Sequence, residues 1–320
     1  MNLLLGLGIV AGIVVFFWVF RSTPKQGQHI LARWKVQNPT VEQGRLVADY
    51  LKERRNLYPY VLLAVFVGGA LLGLLVTFPS ANWLGYVLAT VLATLLITDL
   101  AASRRKRTER TRTATLTARR VSDLVPPYGL AVLGAQLAIG VTALGASIAI
   151  QPWADAANAW RIQHRAELET AAVDISPAVV PTDLGPTVAG FLALLFAGVA
   201  AFLLVRIARD RGPLTYDTDV DDALRVRSAR VGVASAVLMS GGLLWTMLDR
   251  LVAWARPINA LRPDAEAERL AADLPYADPS MLLWYDAATW LLVLAPVAAF
   301  LTWGLLLNPW RTQRLAEATG

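Results

Sequence analysis

The run Asp217-Thr218-Asp219-Val220-Asp221 opens like a calcium-binding loop, since carboxylates at alternate positions can converge on one hard cation. Such a loop needs glycine at its sixth position for the turn and glutamate at its twelfth for bidentate ligation. Those places hold Asp222 and Ser228. The run reads instead as the start of a helix, where acids are favoured by the exposed amides of the first turn. The Asp-x-Asp triplet inside it also occurs in some sugar-nucleotide enzymes, but alone it is too common to indicate one.

Other chemistries lack their residues. The chain has no cysteine, which removes disulfides, thiolate metal sites and cysteine nucleophiles. Its histidines, His29 and His164, lie outside the apolar blocks, so a haem held by histidine pairs within spans has no ligands. Neither a G-x-x-x-x-G-K-[ST] phosphate loop nor an H-E-x-x-H helix occurs. The expectation is a non-enzymatic protein with no catalytic, cofactor-binding or metal-binding residue and no cofactor.

The framework that would position any such residues is set by hydropathy. Hydrophobic residues make up 56% of the 320 and the mean hydropathy is +0.47, against about 45–50% apolar residues in a soluble protein. They cluster in blocks at 3–20, 60–77, 83–98, 128–150, 187–205, 231–248 and 282–307. A span needs about 20 mostly apolar residues. The fold class expected is all-α: a single integral membrane domain over 1–320 with about seven spans, or six if 83–98 fails to cross. The outer segments are 151–186 and 249–281. None of the blocks carries an ionisable residue near its middle, which argues against a self-contained proton- or sodium-coupled transporter. Gln136, Thr142, Ser147, Ser235 and Ser240 are their main polar groups, and serine and threonine can bond back to their own helix.

Charge orients the frame. Segments 21–59, 99–127, 206–230 and 308–320 hold 24 of the 30 Lys and Arg residues with 12 acids, leaving 6 basic residues and 12 acids elsewhere. Lys/Arg excess near span ends marks the cytoplasmic side, so the N-terminus is expected outside and the C-terminus inside. The pI near 9.8 is thereby assigned to anionic lipid at the basic segments, not to nucleic acid. No basic residue precedes the first block, which reads as a retained span and not a signal peptide. Trp83, Trp153, Trp160, Trp245, Trp254 and Trp284 fall near outer span ends, as indoles at headgroup level would. Gly8/Gly12 and Gly69/Gly73 offer close helix approach.

A shift of 105 residues lays Gly85 on Gly190, Arg104 on Arg209 and Arg120-Val121 on Arg225-Val226, suggesting an internal repeat of helix pairs. Arg45–Leu51 and Arg119–Val125 share R-x-V-x-D followed by two apolar residues. Each basic segment is expected to form a short helix: Thr40-Val41-Glu42-Gln43 and Thr218-Asp219-Val220-Asp221 have capping-box spacing, and Pro126-Pro127 ends the middle one. A further amphipathic helix is expected near 154–170. Thr108, Thr111, Thr113, Thr115 and Thr117, set among arginines, form a candidate phosphorylation run.

Asp123-Leu124-Val125-Pro126, and Asp49-Tyr50-Leu51-Lys52 without the proline, resemble a stretch preceding a span in uncharacterised multi-pass membrane proteins of high-GC Gram-positive bacteria. The resemblance covers roughly 20 residues and implies a multi-pass topology in a bacterial plasma membrane, with no activity attached; the predominance of arginine over lysine agrees with a high-GC source. The function expected is that of a scaffold, assembly factor or regulatory partner with a protein partner at the cytoplasmic helices. The alternative is the membrane subunit of a transporter energised by a separate cytoplasmic ATPase.

Overall fold

The structure is a computed structural model that describes residues 23–34, 36, 38–52, 56, 60, 64, 91–100, 120–166, 182–210, 215, 217–255 and 279–308. Every regular element among them is helical. They are α1 (Pro24–Arg33), α2 (described continuously over 41–52, with 56, 60 and 64 also helical), α3 (Val91–Leu100), α4 (Val121–Leu124), α5 (Pro127–Gln163), α6 (Gly185–Asp210), α7 (Thr218–Ala255) and α8 (Pro279–Leu307).

Four of these helices, α5 to α8, are long and apolar enough to cross a membrane. They run for 37, 26, 38 and 29 residues, whereas about 20 suffice at about 1.5 Å per residue. The expected spans 128–150, 187–205, 231–248 and 282–307 lie within them. Span 3–20 lies outside the described residues, 60–77 is represented by Tyr60 and Ala64, and 83–98 by the part of it in α3. Also outside are Gly8/Gly12, Gly69/Gly73 and the threonine run.

Two boundaries differ from expectation. α5 continues through Pro152 to Gln163, so span and outer amphipathic helix are one element. A proline removes a single backbone donor, and here it sits beyond the apolar run. Likewise the short helix expected ahead of 231 is the first part of α7. No proline interrupts 218–255, and Ala223–Arg230 supplies mostly good helix formers, so nothing ends the helix there. α4, by contrast, stops at Leu124, and Pro127 opens α5 where its missing N–H leaves nothing unsatisfied.

Contacts divide the chain into two units: Met1–Gly134, Phe196–Met239 and Ala299–Gly320 in the first, Ala135–Leu195 and Ser240–Ala298 in the second. α7 is the most enclosed of the four long helices: 67% of its apolar window is buried, against 22% for α8. Small residues make this possible. In the first unit Ala229, Val233, Ala234, Ala236 and Val237 are fully buried, and a Cβ on Gly232 would lie 2.7 Å from Leu204 Cδ1. In the second unit Gly140 sits beside Leu194 and Leu244, and Gly190 against Met247. Helices in lipid associate through such close packing, because lipid tails remove the hydrophobic drive between them. α8 shows the opposite pattern, exposing Leu283, Trp290, Phe300 and Leu301.

Two of the tryptophans expected near outer span ends are enclosed by neighbouring helices. Trp160 and Trp254 are 4% and 3% exposed and pack inside the second unit, while Trp245 and Trp284 stay open. Position along a helix does not decide whether an indole is enclosed; the neighbouring helices do.

Candidate functional site

Among the described residues, a group of polar and charged side chains in the first unit surrounds the N-terminal part of α7. It starts with two capping boxes. Thr23 N–H donates to Gln26 Oε1 at 3.1 Å and Gln26 N–H to Thr23 Oγ1 at 3.3 Å, which starts α1. Thr40 and Gln43 repeat the exchange at 2.9 and 3.2 Å, which starts α2 as the spacing predicts. Between the helices Asn38 takes the left-handed conformation at φ 47°, and Gln28 Nε2 donates to the Pro39 carbonyl at 2.9 Å. The helices cross at Gly27 and Gly44. A Cβ on Gly27 would collide with the Gly44 carbonyl oxygen, and one on Gly44 would lie 2.6 Å from the Pro24 carbonyl oxygen, so both positions require glycine.

This hairpin presents Leu31 and Val47 to Val220, Ala223 and Leu224 of α7, with Ile30, Trp34, Tyr50 and Leu51 at the margin. Full burial of such a side chain stabilises by about 1.5–3 kcal/mol, so the apolar seam sets the docking. A polar tie adds register: Gln43 Nε2 donates to Asp217 Oδ2 at 2.8 Å. The other oxygen, Asp217 Oδ1, accepts the amides of Asp219 and Val220 at 3.0 and 3.1 Å. Asp217 is therefore the cap of α7, in place of the Thr218 expected from spacing. The carboxylate of residue 217 satisfies two first-turn donors, and the acids at 219 and 221 fall in that turn as expected.

One turn further, Asp221 Oδ2 and Arg225 Nε are 2.7 Å apart with both side chains 3% exposed. Arg225 Nη1 also donates to the carbonyls of Ala208 and Arg209 at 2.9 and 3.3 Å. These are among the last carbonyls of α6, where a helix end carries partial negative charge and lacks donors. One guanidinium thus ties the end of α6 to the start of α7. The spacing of Asp221 and Arg225 is visible in the sequence as a helical ion pair; its enclosure is not.

Arg230 closes the arrangement. Its Nε donates to the Leu124 carbonyl at 3.3 Å, and its guanidinium carbon lies 5.6 Å from the Trp34 ring centroid. No sequence signal points to this residue beyond its place beside the apolar run. The open side of the hairpin carries Lys25, Arg33, Arg45 and Lys52 together with Glu42 and Asp49, all exposed. The aspartates of the repeated pattern behave differently: Asp123 Oδ2 accepts the Arg120 amide at 2.8 Å, whereas Asp49 is exposed on α2.

In the second unit, His164 stacks on Trp160 at 4.7 Å with Nδ1 3.0 Å from the Trp160 carbonyl oxygen, a local helix-end contact. Gln136 is buried; Ser147 donates to the Ala143 carbonyl and Thr142 to that of Ile139, each at helical spacing, while the enclosed Ser240 hydroxyl has no partner among the described residues. Among the described residues no three His, Asp or Glu side chains gather as a metal-binding group. No protein-family model, curated protein or solved structure matches this chain.

Proposed function

We propose that this chain is a non-enzymatic multi-pass membrane protein that acts as a scaffold, assembly or regulatory partner, with the first unit's α1–α2 hairpin as its contact surface. Seven spans, an outer N-terminus, an inner C-terminus and a bacterial plasma membrane complete the reading. So does a plan of repeated helix pairs, and the likeness to membrane proteins of high-GC Gram-positive bacteria agrees with it. One observation carries it. A capped helix pair, α1 and the start of α2, is fastened to the N-terminal part of the most enclosed helix by an apolar seam and the Gln43–Asp217 bond. Its outer side is left with exposed charge. A partner bound there would be held rigidly against the membrane helices.

The same hairpin favours a second reading, the membrane subunit of a transporter whose separate ATPase docks on the inner helices. Photo-crosslinking separates the readings. A photoreactive residue at Val41, 68% exposed on α2, is expected to capture a partner protein, while one at Trp290 on α8 captures none. Capture of an ATPase at Val41 selects the transporter reading; no protein at either position removes the docking surface. Topology is tested in the same strain. The chain lacks cysteine, so single cysteines at Glu42 and Asp155 report sidedness directly. Labelling of Glu42→Cys by an impermeant reagent in intact cells would reverse the orientation.

A further inference from the structure

Among the described residues Arg230 has no counter-ion. It is partly enclosed, and among the described residues no carboxylate lies within ion-pair distance of it. The helix-neighbour positions 226, 227, 233 and 234 hold Val, Arg, Val and Ala. Asp221, the acid two turns and more behind, is engaged by Arg225 at 2.7 Å. Asp123, next to the carbonyl that Arg230 reaches, holds the Arg120 amide at 2.8 Å. A guanidinium cannot shed its charge by losing a proton, and among the described residues its hydrogen bonding is through Nε, which leaves the two NH2 groups of the fork for an outside acceptor. Partial burial of such a group is costly until an anion meets it.

Its depth identifies the anion. Residues 231–248 form the charge-free run of α7, 18 residues closed by Asp249, or about 27 Å of helix. This approaches the roughly 30 Å hydrocarbon thickness of a bilayer. Arg230, the residue next to that run, therefore stands at the level where lipid phosphates lie. Trp34, against the guanidinium at 5.6 Å, is the side-chain type that prefers the same layer. The guanidinium fork matches two oxygens of a phosphate.

We propose that Arg230, seated on Trp34 and anchored through Nε to the Leu124 carbonyl, binds the phosphodiester of an anionic inner-leaflet lipid. This rests on the orientation argued above, and it goes further: one lipid is held at a built position, distinct from the general attraction of the exposed basic residues.

The test is native mass spectrometry of the full-length protein in mild detergent, titrated with phosphatidylglycerol, phosphatidylcholine or inorganic phosphate. The wild type is expected to retain one phosphatidylglycerol more tightly than any phosphatidylcholine. Arg230→Gln should weaken that lipid about tenfold, the scale of a charge-assisted hydrogen bond. Arg230→Lys, which keeps the charge and loses the fork, should weaken it several-fold and carries the test if the glutamine variant fails to fold. Lys52→Gln, on the exposed side of α2, should change it less than twofold. Equal loss from Lys52→Gln and Arg230→Gln would overturn the site and leave the inner-leaflet reading intact. Unchanged retention in Arg230→Lys would also overturn it, as would displacement of the tight lipid by equimolar inorganic phosphate. If phosphatidylglycerol is retained no better than phosphatidylcholine, both the site and the lipid reading of the basic segments fall.

Discussion

Replacing Arg225 by methionine should cost far more than replacing Asp221 by asparagine, and the asymmetry follows from what each change leaves behind. An exposed ion pair at this helical spacing would contribute about 0.3–0.5 kcal/mol. Here both side chains are 3% exposed, so removing one partner is governed by the burial of the other. Arg225→Met takes the guanidinium from the buried Asp221 carboxylate and from the carbonyls of Ala208 and Arg209. The expected loss is about 3–5 kcal/mol, the range for breaking a buried pair. Asp221→Asn keeps an acceptor for Arg225 Nε, and the guanidinium retains the carbonyl end of α6. The expected loss is about 1–2 kcal/mol, of the order of a weakened charge-assisted hydrogen bond. Replacing both by Leu and Met should recover part of the Arg225→Met loss, since no buried charge then remains. The assay is equilibrium unfolding in mixed micelles by SDS titration, followed by tryptophan fluorescence. Equal losses from the two single variants would refute the claim that Arg225 is held by the α6 end. Losses below about 0.5 kcal/mol for both, the scale of surface substitutions, would refute the burial of the pair.

Two further outcomes follow from the hairpin. Gly27→Ala drives a Cβ into the Gly44 carbonyl oxygen, which is backbone, whereas Gly140→Ala meets the flexible end of Leu194. The first should destabilise by about 1–3 kcal/mol or undock the hairpin, and the second by less; limited proteolysis near residues 36–40 would report undocking, and equal protection in both variants would contradict the crossing. Thr40→Val should cost about 0.5–2 kcal/mol through loss of the α2 cap. Gln43→Ala should cost more than Thr40→Val, because it also removes the 2.8 Å bond to Asp217; hydrogen exchange at the first amides of α2 and α7 distinguishes them, with the α7 amides exchanging faster only in the Gln43 variant.

Much of the fold was legible because helices apolar enough to cross a membrane are written in composition. A lipid environment supplies no partners for the backbone, so long apolar runs must be helical, and the runs at 128–150, 187–205, 231–248 and 282–307 lie in four long helices. Capping at Thr40 was legible for a similar reason: the box closes within four residues and needs no tertiary partner. The second box at Thr23 carries the same signal in Thr23-Pro24-Lys25-Gln26. Spacing failed at α7, where Thr218 and Asp217 both offer a cap. The choice went to Asp217, which accepts two amides while Gln43, far away in sequence, holds its other oxygen.

By itself, the sequence determined which segments are apolar enough to cross a membrane, where its charges collect, and which local caps can form. These depend on neighbours within a turn or two, or on transfer of a whole segment from water. Only the tertiary structure decided that α7 is the enclosed helix, that Gly27 and Gly44 meet, and that Trp160 and Trp254 turn inward. It alone also set Asp221 and Arg225 in burial against the end of α6 and left Arg230 with no carboxylate in ion-pair range among the described residues. Such outcomes depend on which helix faces fall together, and residues of the same type on an apolar helix carry no local mark of their partner.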